Sequence, residues 1–304
     1  MKRILITGGT GLVGERLSKI LKQKGYEVGV LTRQPEKGKD SSLKYFKWDP
    51  SLNQIDPHAI EWAEGIIHLA GAGVADKRWS KSRKEEILNS RVSSTNLLNS
   101  VVQKAINKPS VIVSASAIGF YGFFTGAKLL VETDVPGNDF LADVTLKWEQ
   151  AVDKMPGDLR KVKLRVGVVL STEGGALPKL MQPVKLGAGA ALASGSQYIS
   201  WIHIDDLCEM FVKSLEDEQM SGAYNAVAPN PVTNKELTTA IAQKLHKPLF
   251  LPNVPAFILK IMLGEMAYMV IEGNNVSCRK ILDTGFKFKY RTVNEALEEL
   301  IPSV

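Results

Sequence analysis

Short apolar runs bounded by turn-forming residues recur along the first two thirds of the chain. Residues 4–6, 28–31, 45–48, 66–71, 111–113 and 162–170 each read as a strand. Between several of them the apolar residues fall at helical spacing, as with Leu12, Leu17, Ile20 and Leu21. In the segment 80–105, Ile87, Leu88, Val92, Leu97, Leu98 and Val101 do the same. Unbroken Ile, Val and Leu runs suit strands covered on both faces, and the intervening helices supply that cover. The pattern predicts an α/β fold built on a doubly wound parallel sheet. Helices expected at 234–245, 255–271 and 293–300 belong to a smaller C-terminal α+β part.

The sharpest transition is at the start. The run Ile4, Leu5, Ile6 stops at a glycine cluster and a helical pattern follows at once, in KRILITGGTGLVG. Strand, tight turn and helix N-terminus meet there, and the unpaired backbone N–H groups of such a junction can hold a pyrophosphate. Gly9, Gly11 and Gly14 fit G-x-G-x-x-G, while Thr7, Gly8, Gly11 and Gly14 fit T-G-x-x-G-x-x-G. An ordinary glycine turn is the alternative. On the dinucleotide interpretation Gly8, Gly9, Thr10, Gly11, Leu12, Val13 and Gly14 line the phosphates.

Composition narrows the partners. The 304 residues are 44% hydrophobic and 23% charged, with a formal net charge of +6. That is ordinary globular composition, and its Lys and Arg are interspersed with acids. No basic block marks a nucleic-acid partner. The four histidines and two cysteines show no metal-ligand spacing, so no metal is expected. Strand-forming residues begin at position 2, which leaves no room for a signal peptide and suggests a cytoplasmic protein. The apolar stretch at 255–271 is interrupted by Lys260, Gly264 and Glu265; it reads as a buried helix or a partner surface, not a membrane span. A small molecule is the expected partner, and the sequence leaves room for a homodimer.

Open parallel sheets bind ligands at the carboxyl ends of their strands. The second strand ends in Thr32 and Arg33, where NAD-binding folds carry an acid for the ribose 2′-OH. A guanidinium there suits a 2′-phosphate instead, which favours NADP(H). Leu69, Ala70 and Gly71 would let the adenosine lie against the fourth run. His68, inside an apolar run, reads as a hydrogen-bonded core residue. Glu86 and Arg91 could approach the cofactor from the long helix, or simply form salt bridges. Ser114, Ser116 and Tyr121 stand where chemistry is expected, and Val169 could present backbone to the nicotinamide. A second glycine turn, Gly174-Gly175-Ala176, with Lys179 beyond it, offers another place for an anionic group. His203 reads as a structural hydrogen-bonding residue, and Asp205 as a helix N-cap.

TGGTGLVG, the HLAG strand end and the SxS…YG segment resemble the extended short-chain dehydrogenase/reductases of the epimerase/dehydratase class. LRVGVVLSTEGGALPKL (164–180), LGAGAALASGSQYISWIHIDDL (186–207), PAFILKIMLGEMAY (255–268) and DTGFKFKY (283–290) resemble the atypical branch called epimerase family proteins. The resemblance implies a Rossmann-type domain over 1–228, with 171–200 contributing to a substrate pocket, and a C-terminal domain over 229–304 covering it. It also implies a tyrosine and a lysine four residues apart on one helix, with a serine on the substrate oxygen. The matching helix, 139–152, contains no tyrosine. In one register Leu141 and Thr145 fill the two positions; in the other Asp143 and Lys147 do, and an exposed ion pair explains the second pair equally well. Ser116, Tyr121, Asp143 and Lys147 are therefore the catalytic candidates. The resulting expectation is an NADP-dependent oxidoreductase or epimerase-like enzyme for a small polar substrate, with a catalytically degenerate NADP(H)-binding regulator as the alternative.

Overall fold

A strand flanked on both sides by parallel neighbours exposes no edge, and its two faces bury only if helices cover both. The computed structural model, which describes residues 1–38 and 40–302, realises this with one main sheet. Its strands are β1 (Arg3–Thr7), β2 (Glu27–Thr32), β3 (Lys44–Asp49), β4 (Gln54–Ile55), β5 (Gly65–His68), β6 (Val111–Ala117), β7 (Arg160–Val166) and β8 (Gly222–Ala226). They lie in the order β8-β7-β6-β5-β1-β2-β3-β4. All pairings are parallel except that of the short edge strand β4 with β3.

The helices are α1 (Leu12–Gln23), α2 (Pro57–Trp62), α3 (Lys81–Val102), α4 (Phe140–Asp153), α5 (Ala176–Lys185), α6 (Ile204–Glu216), α7 (Asn234–Lys244), α8 (Ala256–Leu263) and α9 (Val293–Leu300), besides single-turn pieces. Leu17 and Ile20 of α1 and Leu207 and Phe211 of α6 fill the core on one sheet face. Ile60 of α2, Leu98 of α3 and Trp148 of α4 fill it on the other. A further core joins α5, α7 and α9 around Trp201. Among the described residues no helix is long and apolar enough to cross a membrane, and no cluster of three His, Cys, Asp or Glu could hold a metal.

Three local expectations are corrected. The run 162–170 is not one strand: β7 ends at Val166, and Val168–Leu170 pairs instead with Trp201–His203. The change of partner is at Gly167, where a Cβ would lie 2.4 Å from the Ser200 carbonyl oxygen. Asp205 does not cap α6. His203 does so, its Nδ1 accepting the Asp205 N–H at 3.1 Å, while the Asp205 carboxylate grips Arg16 of α1 at 2.6 and 2.8 Å. The expected helix over 255–271 breaks at Gly264, which has a φ of +62°. Of the first piece, α8, only Leu259 is buried, with Phe257, Ile261 and Met262 exposed.

From β1 the chain moves outward through β2, β3 and β4, then returns to β5 on the other side of β1. Connections leave in opposite directions at this point, which opens a crevice over the carboxyl ends of β1 and β5. A buried polar chain ties the two strands together beneath it. Thr7 Oγ1 accepts the N–H groups of Leu69 and Ala70, both at 3.1 Å, and lies 2.7 Å from His68 Nδ1. On the far side of the ring Nε2 is 2.9 Å from Thr95 Oγ1, whose own proton goes to the Arg91 carbonyl at 2.8 Å. With both Thr7 lone pairs engaged, its proton is donated to Nδ1, so the imidazole is neutral and carries its hydrogen on Nε2.

Burial, with a smaller contribution from the Arg91 charge, holds the His68 pKa down at about 3 against the usual 6.5. The unfolded chain therefore takes up this proton first, and stability falls as pH drops from about 6.5 toward 3. Replacing His68 with Gln should flatten the pH dependence of urea unfolding across that window. Identical slopes for the two proteins would show that the ring is not held neutral.

Candidate functional site

Two backbones approach so closely at the head of the crevice that side chains are excluded. Gly8 has a φ of +68°, and a Cβ on it would lie 3.0 Å from the Leu69 carbonyl. A Cβ on Gly14 would lie 2.3 Å from the Gly8 carbonyl oxygen and 2.6 Å from Gly9 Cα. The first turn of α1 thus sits directly on the bend. Gly11, at the N-cap, offers no side-chain partner to the helix's first N–H groups, while Thr10 and Gly11 are exposed. Free donors plus the positive helix end make a site for an anion. The Leu12 side chain reaches across to the second glycine turn: added Cβ atoms on Gly174 and Gly175 would stand 3.6 and 3.5 Å from it. Gly175 caps α5, and the Val169 carbonyl lies 3.6 Å from where its Cβ would be. Val13 is half-buried beside the same core. Lys179 donates to the Ala75 carbonyl at 3.2 Å, tying α5 to the loop after β5.

At the far end of the crevice Thr32 is half-buried and Arg33 exposed. Across from them, Leu69 and Ala70 have their N–H groups fixed by Thr7. Gly71 covers a half-buried cation, since a Cβ there would be 3.0 Å from Arg91 Cζ. Arg91 donates through Nη1 to the carbonyls of Ala72 and Ile87, both at 3.0 Å, and lies 5.2 Å from the Trp148 ring. Burial pulls its pKa down to about 10. Among the described residues it has no carboxylate partner, so a positive charge at the crevice wall is met only by dipoles and a π face. Glu86 is exposed and pairs with Arg83 at 2.7 Å, and Arg83 in turn donates to the Gly73 carbonyl. Between the two interpretations offered for it, the structure supports the salt bridge.

The arrangement beyond β6 separates the four catalytic candidates. Asp139 fixes the phase of α4 by accepting the N–H groups of Leu141 and Ala142 at 3.0 and 3.1 Å, and that of Phe123 at 2.7 Å. The helix consequently turns Leu141, Thr145 and Glu149 toward the strand end: a Cβ on Gly119 would be 3.4 Å from Leu141 Cβ and 3.7 Å from Thr145 Oγ1. Asp143 and Lys147 pair with each other at 2.8 Å on the opposite, solvent-facing side, each about half exposed. An ion pair of that kind contributes a few tenths of a kcal/mol and places neither group near the sheet.

Ser116 and Tyr121 are both buried, in one polar network. The Ser116 hydroxyl donates to Glu149 Oε1 at 2.6 Å. The same carboxylate accepts a fork from Arg165, with Nε at 2.8 Å and Nη2 at 3.0 Å. Arg165 Nη1 donates to the Tyr121 hydroxyl at 3.1 Å, and that hydroxyl donates to Asn225 Oδ1 at 2.7 Å. The guanidinium also lies 3.5 Å from the centre of the Phe120 ring. Burial alone would lower the Arg165 pKa, but Glu149 outweighs it and raises it. Tyr121 is raised by burial, with Arg165 opposing. Both hydroxyl protons are committed inward, and a phenol harder to ionise is a weaker acid. No role was assigned to Glu149, Arg165 or Asn225 from the sequence. The available signal was a cation inside the apolar run LRVGVV and an amide inside NAVA.

Comparison with known proteins bears on the family and the fold. Residues 4–226 match the model of the NAD dependent epimerase/dehydratase family, and 254–300 match a domain of unknown function (DUF1731). The epimerase family protein YfhF of Bacillus subtilis is 34% identical over 98% of this chain and 97% of its own length. Human epimerase family protein SDR39U1 is 31% identical over 98% of this chain and 99% of its own. A crystal structure of the human protein (isoform 2) with NADPH superposes with a TM-score of 0.88 at 30% identity, covering 99% of this chain and all of that one.

The Arg165–Glu149 pair generates a stability prediction. Removing one member of a buried ion pair leaves the other uncompensated, at a cost of about 3–5 kcal/mol. Glu149→Ala should lose that much in urea unfolding, with Glu149→Gln losing less. A loss below about 1 kcal/mol, the range of an exposed pair, would mean the network is solvated.

Proposed function

The chain belongs to the NAD dependent epimerase/dehydratase family, and on that footing we propose that it binds NADP(H) across the β1/β5 crevice and retains it without tyrosine–lysine catalysis. The pyrophosphate would rest on the bend at 8–14, meeting the N–H groups of Gly9, Thr10, Leu12 and Val13, while that of Gly11 closes the bend on the Gly8 carbonyl at 3.1 Å. The adenosine ribose would lie at Thr32 and Arg33, with Leu69, Ala70 and Gly71 along its side and Val169 toward the nicotinamide. The close approach of Gly14 to the bend supports this fit, because the cradle it leaves is one that any side chain would fill. NADPH in the crystal structure of the human relative supports the choice of dinucleotide.

A reduced nicotinamide supplies a hydride; what a reductase adds is a proton donor. The observation that carries the non-catalytic part is the α4 face toward β6, which holds Leu141 and Thr145 where a phenol and an ammonium would stand. Ser116 and Tyr121 have their protons engaged by Glu149 and Asn225. We infer a cofactor-holding regulator or sensor. A second reading, an oxidoreductase or epimerase-like enzyme for a carbonyl or nucleotide-sugar substrate, is favoured by one feature. The α5 N-terminus at Gly175 has no side-chain cap and faces Leu12 across the crevice, which would suit an anionic substrate group.

Calorimetric titration of purified protein should give binding of NADPH tighter than NADH, and Arg33→Ala should weaken NADPH about tenfold, or ~1.4 kcal/mol, with little effect on NADH. Heat with neither dinucleotide would end the cofactor assignment. Followed at the nicotinamide absorbance, NADPH should persist with carbonyl and nucleotide-sugar substrates. Sustained oxidation by one of them, with loss in Ser116→Ala at unchanged stability, would establish the enzyme instead.

A further inference from the structure

The crevice ends in a corner that contains a second cation. Along β3, Phe46 and Trp48 enter the core beside α2, α3 and α4, whereas Tyr45 packs against the core beside α1. Side chains alternate along a strand, so Lys47 lies on the Tyr45 face. Along β2, Val28 and Val30 bury in the α1-side core, which puts Thr32 on that same face. Thr32 and Lys47 are direct partners in the parallel register. The glycine bend stands over this face as well, since a Cβ on Gly9 would be 2.8 Å from Val30 Cγ1. Bend, Thr32 and Lys47 therefore share one side of the sheet at its carboxyl edge.

The ammonium is held at that edge. Lys47 Nζ donates to the Arg33 carbonyl at 2.7 Å, which spends one of its three protons and leaves two. Among the described residues Lys47 has no carboxylate within 4 Å. Asp49, next on the same face, is turned into its own loop, accepting the N–H and hydroxyl of Ser51 at 3.0 and 2.6 Å. The corner thus brings the Lys47 ammonium to the Arg33 backbone, while Asp49, whose carboxylate the Arg33 charge helps to keep ionised, is engaged by Ser51.

We propose that Lys47 is a specificity-determining residue: with Arg33 it clamps the 2′-phosphate and makes the site select NADP(H) over NAD(H). A phosphomonoester carries about −1.5 to −2 charge near neutrality. One guanidinium leaves part of that charge unmatched, and a second cation, anchored to the first residue's backbone, completes it. The position is two residues before the end of β3 and far from the glycine fingerprint in sequence, so only the parallel register brings it to the ribose. This inference deepens the cofactor reading of the preceding section and rests on it.

The test is calorimetric titration of the full chain with NADPH and, separately, NADH, on wild type, Lys47→Met and Lys47→Arg. Lys47→Met should weaken NADPH about two- to fivefold, the range for charge pairs at an exposed site. NADH affinity and the melting temperature should hold, Lys47→Arg should retain the NADPH preference, and the wild-type preference should shrink as salt is raised. An unchanged NADPH-to-NADH ratio in Lys47→Met would overturn the assignment while leaving the cofactor reading intact. Equal weakening of both dinucleotides would make Lys47 a support for the β2 end only, and overturn it too. Failure of wild type to bind either dinucleotide would remove the cofactor reading itself, and this inference with it.

Discussion

The constraint on which the rest depends is the distance between the exit of β1 and the first turn of α1. With Gly14 packed so that a Cβ would fall 2.3 Å from the Gly8 carbonyl oxygen, the helix axis is pinned to the strand end and its first N–H groups project into the crevice. The position of the crevice follows from topology, because β2 and β5 leave β1 in opposite directions. Its interior follows from the bend, since nothing but backbone fits where the two meet. The Thr7–His68–Thr95 chain beneath then locks β5 in register with β1, so the two walls cannot slide. A neutral imidazole serves here because both neighbours are hydroxyls, and a charged ring would leave one of them without an acceptor.

Two arginines, Arg165 buried and Arg91 half-buried, show how differently this fold treats charge. Arg165 is neutralised by the Glu149 fork and walled by Phe120, which makes it structural and expensive to disturb. Arg91, at the crevice wall under Gly71, has only carbonyls and the Trp148 ring, and its pKa is depressed accordingly. A desolvated cation without a counter-ion is costly unless a ligand supplies the missing charge. The net positive field of the chain, +6 overall, adds to the attraction of an anionic dinucleotide. The contrast lies in the partners: Arg165 is met by a carboxylate, Arg91 by carbonyls and a ring face.

Much of this was legible in the sequence, and the limits have identifiable causes. Strands and glycine bend were readable because their constraints are local: apolar runs, positive φ, close backbone approach. His68 was readable because a histidine inside IIHLA has nowhere to go but the core. The cap of α6 was misassigned because Asp205 has a competitor, Arg16, lying 189 residues away in sequence, and a forked ion pair outweighs a local cap. Gly167 looked like the middle of a strand because the contact that breaks it, with Ser200, is tertiary. α8 looked buried because hydropathy reports composition and not which neighbours are present. The network around Glu149 spans β6, β7, β8 and α4, and no local pattern announces a contact among four elements.

The register of α4 shows most clearly where spacing fails and packing decides. Leu141/Thr145 and Asp143/Lys147 are both four apart, and either pair could lie along a face. An ion pair gains little from facing the sheet, where desolvation exceeds its attraction, whereas Leu141 gains from burial against Gly119. Glu149 can face inward only because Arg165 meets it there. Those two preferences agree on one rotation of the helix, and Asp139 locks it from the N-terminus. Once that rotation is set, the positions nearest the strand end are an aliphatic side chain and a hydroxyl that bonds back to the Leu141 carbonyl at 2.7 Å. The dinucleotide cradle and the catalytic helix are thus independent parts of the fold. The first depends on backbone that tolerates almost no substitution, the second on side chains that the sheet does not need. A chain can lose the proton donor and still keep the grip, which is the combination we propose here.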